Sequence, residues 1–327
     1  MKSTNVKTSA PATKPVGKVA GSMIELVEIE PGQYQEPLII ALFGNQASGK
    51  SRLIGTAPGP IGLVPLERKS RQSVLDAAQE FGRKVISPSI DLIRTERAML
   101  LDTIPFACVT EDSPEFKAYG AEDKVKKAEY AMQAKAKEMR LDSEMPMCCQ
   151  RCYYRWHANR EKAVALQMAE RPDIQTIAID TFGQFIDDMY FANYGRNDRI
   201  APLDRKSFNR EVVDFINAIN HKNLILTHHS AEVYKDNKPT GKTKPKSTFS
   251  KLGHYVSVEI EMLRDYDAIK FNQKKLETQE ARTVYTMVMK DCQANPSIIG
   301  LELTDDMISF ETLALQVYPD APDGFFS

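Results

Sequence analysis

The chain predicts an α/β fold built on a mainly parallel sheet, and three observations carry that prediction. Apolar strand-like runs alternate with stretches of helical spacing over residues 36–90 and 174–230, the order that strand–helix–strand units produce. One run, Pro37–Phe43, leads straight into the octet Gly44–Ser51 and then a short helical stretch. Another, Thr176–Asp180, is apolar through its middle and ends in a carboxylate, as a strand buried on both faces would.

The 327 residues suffice for one large domain or two smaller ones. Hydrophobic residues make up 42% and charged residues 27%, values of a globular protein. A formal net charge of −1 gives no global attraction to nucleic acid or membrane, so any such contact must come from local patches. No apolar run approaches the roughly 20 residues of a membrane helix, and no secretory signal is read at the N-terminus. Five cysteines, three of them at Cys148, Cys149 and Cys152, make no disulfide framework and fit a reducing, cytoplasmic setting.

Residues 1–22 carry Lys, Ser, Thr, Ala and Pro with no acid, and are expected to be a disordered basic tail before a domain of residues 23–327. Within the domain, Ile61–Leu66 reads as a strand whose Pro65 argues for an edge or irregular position. Ser70–Phe81 has helical spacing and Gly82 to end it, and Lys84–Ser87 reads as a short strand. Residues 91–173 break the alternation and are expected to form a helical insertion, with helices at Ala121–Leu141 and Gln150–Ala169. The sheet resumes at Thr176–Asp180, followed by helices at Phe182–Tyr194 and Asp204–Ile219 and a strand at Asn223–Ser230. A lysine-studded loop is expected over Lys235–Lys251. Closely spaced strands near Tyr255–Leu263, Arg282–Met289 and Ile298–Leu303 predict an antiparallel C-terminal extension.

The chemistry starts at Gly44, Asn45, Gln46, Ala47, Ser48, Gly49, Lys50 and Ser51, which match the phosphate-loop pattern G-x-x-x-x-G-K-[ST]. Glycines let the main chain bend so that its N–H groups face phosphate oxygens, and the following helix adds its positive end. Lys50 is the residue for the β- and γ-phosphates, and the Ser51 hydroxyl for Mg²⁺. Asp180, closing an apolar strand, is the second Mg²⁺ candidate. Glu67 follows the next strand and is the candidate to polarise the attacking water. Thr227, His228 and His229 close a further strand, where a polar side chain can contact the γ-phosphate.

These pieces, in this order, resemble the RecA-like P-loop ATPases of the DNA recombination superfamily, and among them the phage nucleotide-binding and single-strand-annealing ATPases. The matching stretches are Gly44–Ser51, Leu63–Glu67, Ile177–Thr181, Leu224–His229 and Lys251–Arg264. The resemblance covers roughly residues 36–90 and 174–312, leaving out the tail and the insertion. It implies ATP and Mg²⁺ as cofactors and Glu67 as the catalytic carboxylate. It also implies His228 or His229 as γ-phosphate sensor and a ring or filament whose sites receive a basic residue from a neighbour. Lys290 is the candidate for that residue and Arg264 its substitute; the usual second basic residue is replaced by Cys292 and Gln293. The loop after the sensor would touch single-stranded DNA through Lys235, Lys238, Lys242, Lys244, Lys246 and Lys251 by counterion release. A recombination or single-strand-binding partner and a phage-infected bacterial host are further implications.

Two features of the insertion point elsewhere. Cys148, Cys149, Cys152 and His157 are possible zinc ligands, but there is no second Cys pair. Within one helix, His157 would also lie about 12 Å from Cys149, so free thiols are expected. Arg151–His157 with Arg160 and Lys162 mixes aromatic and basic residues, which suits single-strand stacking, although such residues more often dock a helix on its neighbour. The reading is therefore an ATPase in DNA recombination, repair or annealing. The alternatives are a nucleotide-dependent switch or assembly factor acting on a protein, and a small-molecule phosphotransferase, against which no Arg-rich lid segment is found.

Overall fold

The computed structural model describes residues 15–18, 25–27, 36–92, 149–194, 200–201, 205–249, 251–266 and 283–321. The apolar runs become the centre of an eight-stranded sheet. In chain order its strands are β3 (Ile39–Gly44), β4 (Ile61–Pro65), β5 (Val85–Ile86), β6 (Thr176–Asp180), β7 (Asn223–His228), β10 (Val258–Tyr266), β11 (Thr283–Cys292) and β12 (Glu302–Thr304). Their spatial order is β12-β11-β10-β3-β7-β6-β4-β5. From β10 to β5 every pairing is parallel, while β10-β11 and β11-β12 are antiparallel. The antiparallel extension therefore begins only after β10, a strand expected to belong to it, which instead runs parallel beside β3.

Helices cover both faces, which is why the central strands are apolar throughout. On one face lie α1 (Lys50–Gly55), α2 (Ser70–Glu80) and α6 (Phe310–Val317), whose Leu53, Ile54, Val74, Phe310 and Leu313 join Ala178 and Ile225 in one core. On the other lie α3 (Gln150–Glu170), α4 (Phe182–Tyr194) and α5 (Lys206–Ile219), packed with Ile179, Leu224 and Leu226 in a second core. Pro65 fits because β5 reaches only Ile61 and Gly62, leaving the end of β4 open on that side.

Of the expected insertion, α3 is described and the Ala121–Leu141 helix lies outside the described residues. Its aromatic stretch docks inward: Tyr153 and Tyr154 are buried, Arg155 meets Glu211 of α5 at 2.7 Å, and Arg160 lies over Trp156. Cys149 caps α3, its sulfur accepting from the Cys152 amide, and His157 lies eight residues further along the same helix. Among the described residues, no group of three or more His, Cys, Asp or Glu gathers as a metal cluster.

Two segments differ from expectation. Within the expected tail, β1 (Pro15–Lys18) pairs antiparallel with β2 (Glu25–Val27); the rest of residues 1–22 lies outside the described residues. The expected lysine loop is largely a two-stranded ribbon of β8 (Ser230–Lys235) and β9 (Lys238–Pro245). Asp236 and Asn237 turn it with φ of 52° and 61°, the paired positive values that favour a tight hairpin. Pro239, Gly241 and Pro245 argue against an interior strand, but a ribbon has two free edges and tolerates them.

Candidate functional site

The phosphate loop forms because β3 ends where β10 comes close. Gly44 pairs with Met262 at a φ of 156°, and a side chain there would put its Cβ 2.4 Å from the Met262 carbonyl oxygen. Gly49 caps α1 at a φ of 95°, and a Cβ there would lie 2.9 Å from the Tyr285 ring. Both positions thus need glycine, for conformation and for space. Lys50 arches back to donate to the Gly44 and Asn45 carbonyls, 2.9 Å each. The Ser48 hydroxyl is buried without a hydrogen-bond partner among the described residues.

Two carboxylates converge on this loop from separate strands. Asp180 ends β6 on the α1–α2 side, buried, with Ser70 donating to one oxygen at 2.6 Å and Thr227 to the other at 2.5 Å. Glu67 follows β4 and accepts from His229 Nε2 at 2.7 Å. That bond holds the Glu67 pKa below its ordinary value against partial burial, with smaller help from the His229 charge, the Thr181 hydroxyl and Lys50. Burial draws the Lys50 pKa down, while Asp180 and then Glu67 push it back up. Lys50 therefore senses both carboxylates.

The inserted strand β7 divides the two histidines. Leu224 and Leu226 face the α3–α5 core and Ile225 faces the α1–α2 core, so alternation sends Thr227 toward Asp180 and His228 away. His228 is fully buried edge-on against Phe182, its Nδ1 3.4 Å from the Lys246 carbonyl. Burial pushes its pKa down to about 4; the Lys246 carbonyl opposes this and His229 adds to it. His228 is thus a neutral core residue, while His229 stands at the carboxylate. The Lys246 amide donates to the His229 carbonyl at 2.8 Å, joining the base of the β8–β9 ribbon to the residue that holds Glu67.

The remaining candidates spread out. Lys235, Lys238, Lys242 and Lys244 lie on the ribbon, Lys246 at its base and Lys251 beyond it, all exposed. Lys290 donates within its own chain to Glu261 at 2.9 Å, and the buried Glu261 also accepts from Thr243 of the ribbon. Arg264 lies on β10 opposite Tyr285, two residues past the partner of Gly44. Beside Glu67 and His229 opens a cavity of about 470 Å³, whose walls include Gln184, Tyr190, Phe191, Arg205 and Lys246. Ser70, which opens α2, and Thr181, which follows β6, have no role in the sequence reading, since each reads there as an ordinary polar residue. Thr227 carried a signal in sharing strand parity with Ile225.

No protein-family model matches this chain, and no curated protein is similar to it. Among solved structures it is similar to the RadB recombinase, at 10% identity and a TM-score of 0.35 over 82% of this chain and 87% of that one. It is also similar to a KaiC-like protein from the hyperthermophilic archaeon Pyrococcus horikoshii, at 10% identity and a TM-score of 0.34 over 83% and 86%.

Proposed function

We propose that this chain binds ATP with Mg²⁺, hydrolyses it, and couples hydrolysis to DNA recombination, repair or single-strand annealing. The observation carrying the reading is the convergence of Lys50, Glu67 and Asp180 on one bent loop. Loop N–H groups and Lys50 bind the triphosphate and stabilise charge on the transferring phosphoryl group. Glu67, kept ionised by His229, aligns the water for in-line attack and accepts its proton. Ser51 and Asp180 are the residues to hold Mg²⁺. Asp180 fits the role: it is held in place by two hydroxyls beside the lysine, and carboxylate oxygens are the ligands a hard cation takes. The ion, when bound, neutralises phosphate charge.

The DNA half of the proposal rests on the exposed lysines and on the cavity beside Glu67, where Arg205 and Lys246 suit phosphates and the half-buried Phe191 suits a base of a single strand. Ribbon and carboxylate are joined through His229, so DNA contact would alter ATP turnover. A ring or filament belongs to the same reading: Lys290, one-third exposed, would exchange Glu261 for a neighbour's phosphate. The phage setting follows from the motif resemblance alone. The test is steady-state ATP turnover with and without single-stranded DNA. Stimulation is expected; no stimulation together with no salt-sensitive DNA binding contradicts the DNA half. Nuclease-resistant capture of a protein partner would then favour the switch reading.

A further inference from the structure

We propose that Cys149 and Cys152, at the start of α3, form a reversible disulfide by exchange with a small soluble disulfide. The inference stands apart from the ATP and DNA readings and uses neither. It starts from the helix itself. Cys149 is the cap, with extended backbone at φ −163° and ψ 165°, and Cys152 is the third residue inside α3. The Cys149 sulfur accepts from the Cys152 amide at 3.4 Å. One sulfur therefore already lies against the residue that carries the other. At this spacing the Cα atoms of a helical turn are roughly 5 Å apart, inside the range that disulfides span. Closing the bridge asks for rotation about χ1 and no movement of the helix.

Exposure gives the two thiols different tasks. Cys149 is fully buried and Cys152 half-buried, so Cys152 is the sulfur that an external disulfide can reach. Its thiolate attacks one sulfur of RS–SR, forms a mixed disulfide and releases RS⁻. The Cys149 thiolate then attacks the Cys152 sulfur and releases the second RS⁻. Each protein thiol gives its proton to water and each RS⁻ takes one up. The protein dithiol is thereby oxidised, and RS–SR is reduced to a pair of RSH. Capping alone does not account for the pair, because Ser, Thr, Asp and Asn lead at that position and sulfur is a weak acceptor. Cys292 makes the comparison within the same chain. Its sulfur accepts from the Asn295 amide at 3.3 Å over the same spacing, but the second residue there carries no thiol. A structural zinc site takes about four ligands, and among the described residues no group of three His, Cys, Asp or Glu gathers. In a reducing setting a dithiol of this kind is transient and senses redox state.

The test uses the folded full chain with a metal chelator, equilibrated in buffers that run from reduced to oxidised glutathione. Samples are acid-quenched, blocked with N-ethylmaleimide and digested with trypsin without reduction. Trypsin cuts after Arg140, Arg151 and Arg155, so the bridge joins peptide 141–151 to peptide 152–155. Mass spectrometry is expected to find that joined pair in oxidised glutathione and to lose it in excess reduced glutathione. The chain should keep the mass of a monomer on a non-reducing gel, and Cys292 should stay a thiol throughout. Cys148, outside the described residues, shares the longer peptide. Cys148→Ser should therefore keep the joined pair, while Cys149→Ser and Cys152→Ser should lose it. Serine is a good helix cap, so Cys149→Ser is expected to fold, which circular dichroism checks. The proposal is overturned by no joined pair at any ratio, by glutathione that stays on Cys152 without a bridge, or by a bridge between two chains. A joined pair that survives in Cys149→Ser, or equal oxidation of Cys292, overturns it as well.

Discussion

The phosphate-loop region and the β8–β9 ribbon treat charge in opposite ways. At the loop, Lys50 bonds two carbonyls and Asp180 two hydroxyls. On the ribbon, Lys235, Lys238, Lys242 and Lys244 are exposed. Partial burial makes each loop interaction count, because a group that loses its partner there stays unpaired in a low dielectric. The ribbon's charges are screened by salt and contribute little to stability. The difference separates a site of fixed geometry from a surface whose charges face solvent. His229 joins them, one atom on Glu67 and another on the ribbon's base.

Substitutions at the loop should break function sharply. Lys50→Ala is expected to lower ATP turnover by about a hundredfold or more, read as phosphate release. Glu67→Gln should cost turnover about a hundredfold while nucleotide affinity, read by fluorescent-analogue titration, stays close to wild type. Normal turnover in that variant would remove Glu67 from the mechanism.

The next effects are on stability. Ser70→Ala leaves one oxygen of the buried Asp180 without its donor and should destabilise by about 2 kcal/mol in urea unfolding; an unchanged midpoint would mean the bond contributes nothing. His228 gives the most pH-dependent effect. Its ring stays neutral in the fold down to about pH 4, whereas the unfolded chain takes up the proton near 6.5. Unfolding is therefore favoured as pH falls through that window, by about 1.4 kcal/mol per unit. His228→Asn keeps a donor for the Lys246 carbonyl and does not titrate, so its stability should fall less steeply between those limits. Parallel pH profiles would contradict the neutral assignment.

How far the sequence could be read follows from how local each feature is. The loop at Gly44–Ser51 was legible because its glycines, lysine and flanking strand lie within a dozen residues. Asp180 was legible as the end of an apolar strand. The division between His228 and His229 was only half legible: strand parity groups His228 with Leu224 and Leu226, but which core carries the loop depends on where the helices pack. Ser70 becomes a partner of Asp180 only when α2 lies beside β6, across 110 positions of sequence. The ribbon was hidden because Pro, Gly and Lys read as loop, and only cross-strand pairing reveals it.

The central claim, that this bent main chain holds a triphosphate between Lys50 and two carboxylates, is tested most directly by calorimetric titration of the folded protein with ATP and Mg²⁺. The account predicts saturable binding at one site that ADP competes for and AMP does not. Absence of binding by well-folded protein, or equal competition by AMP, would contradict it.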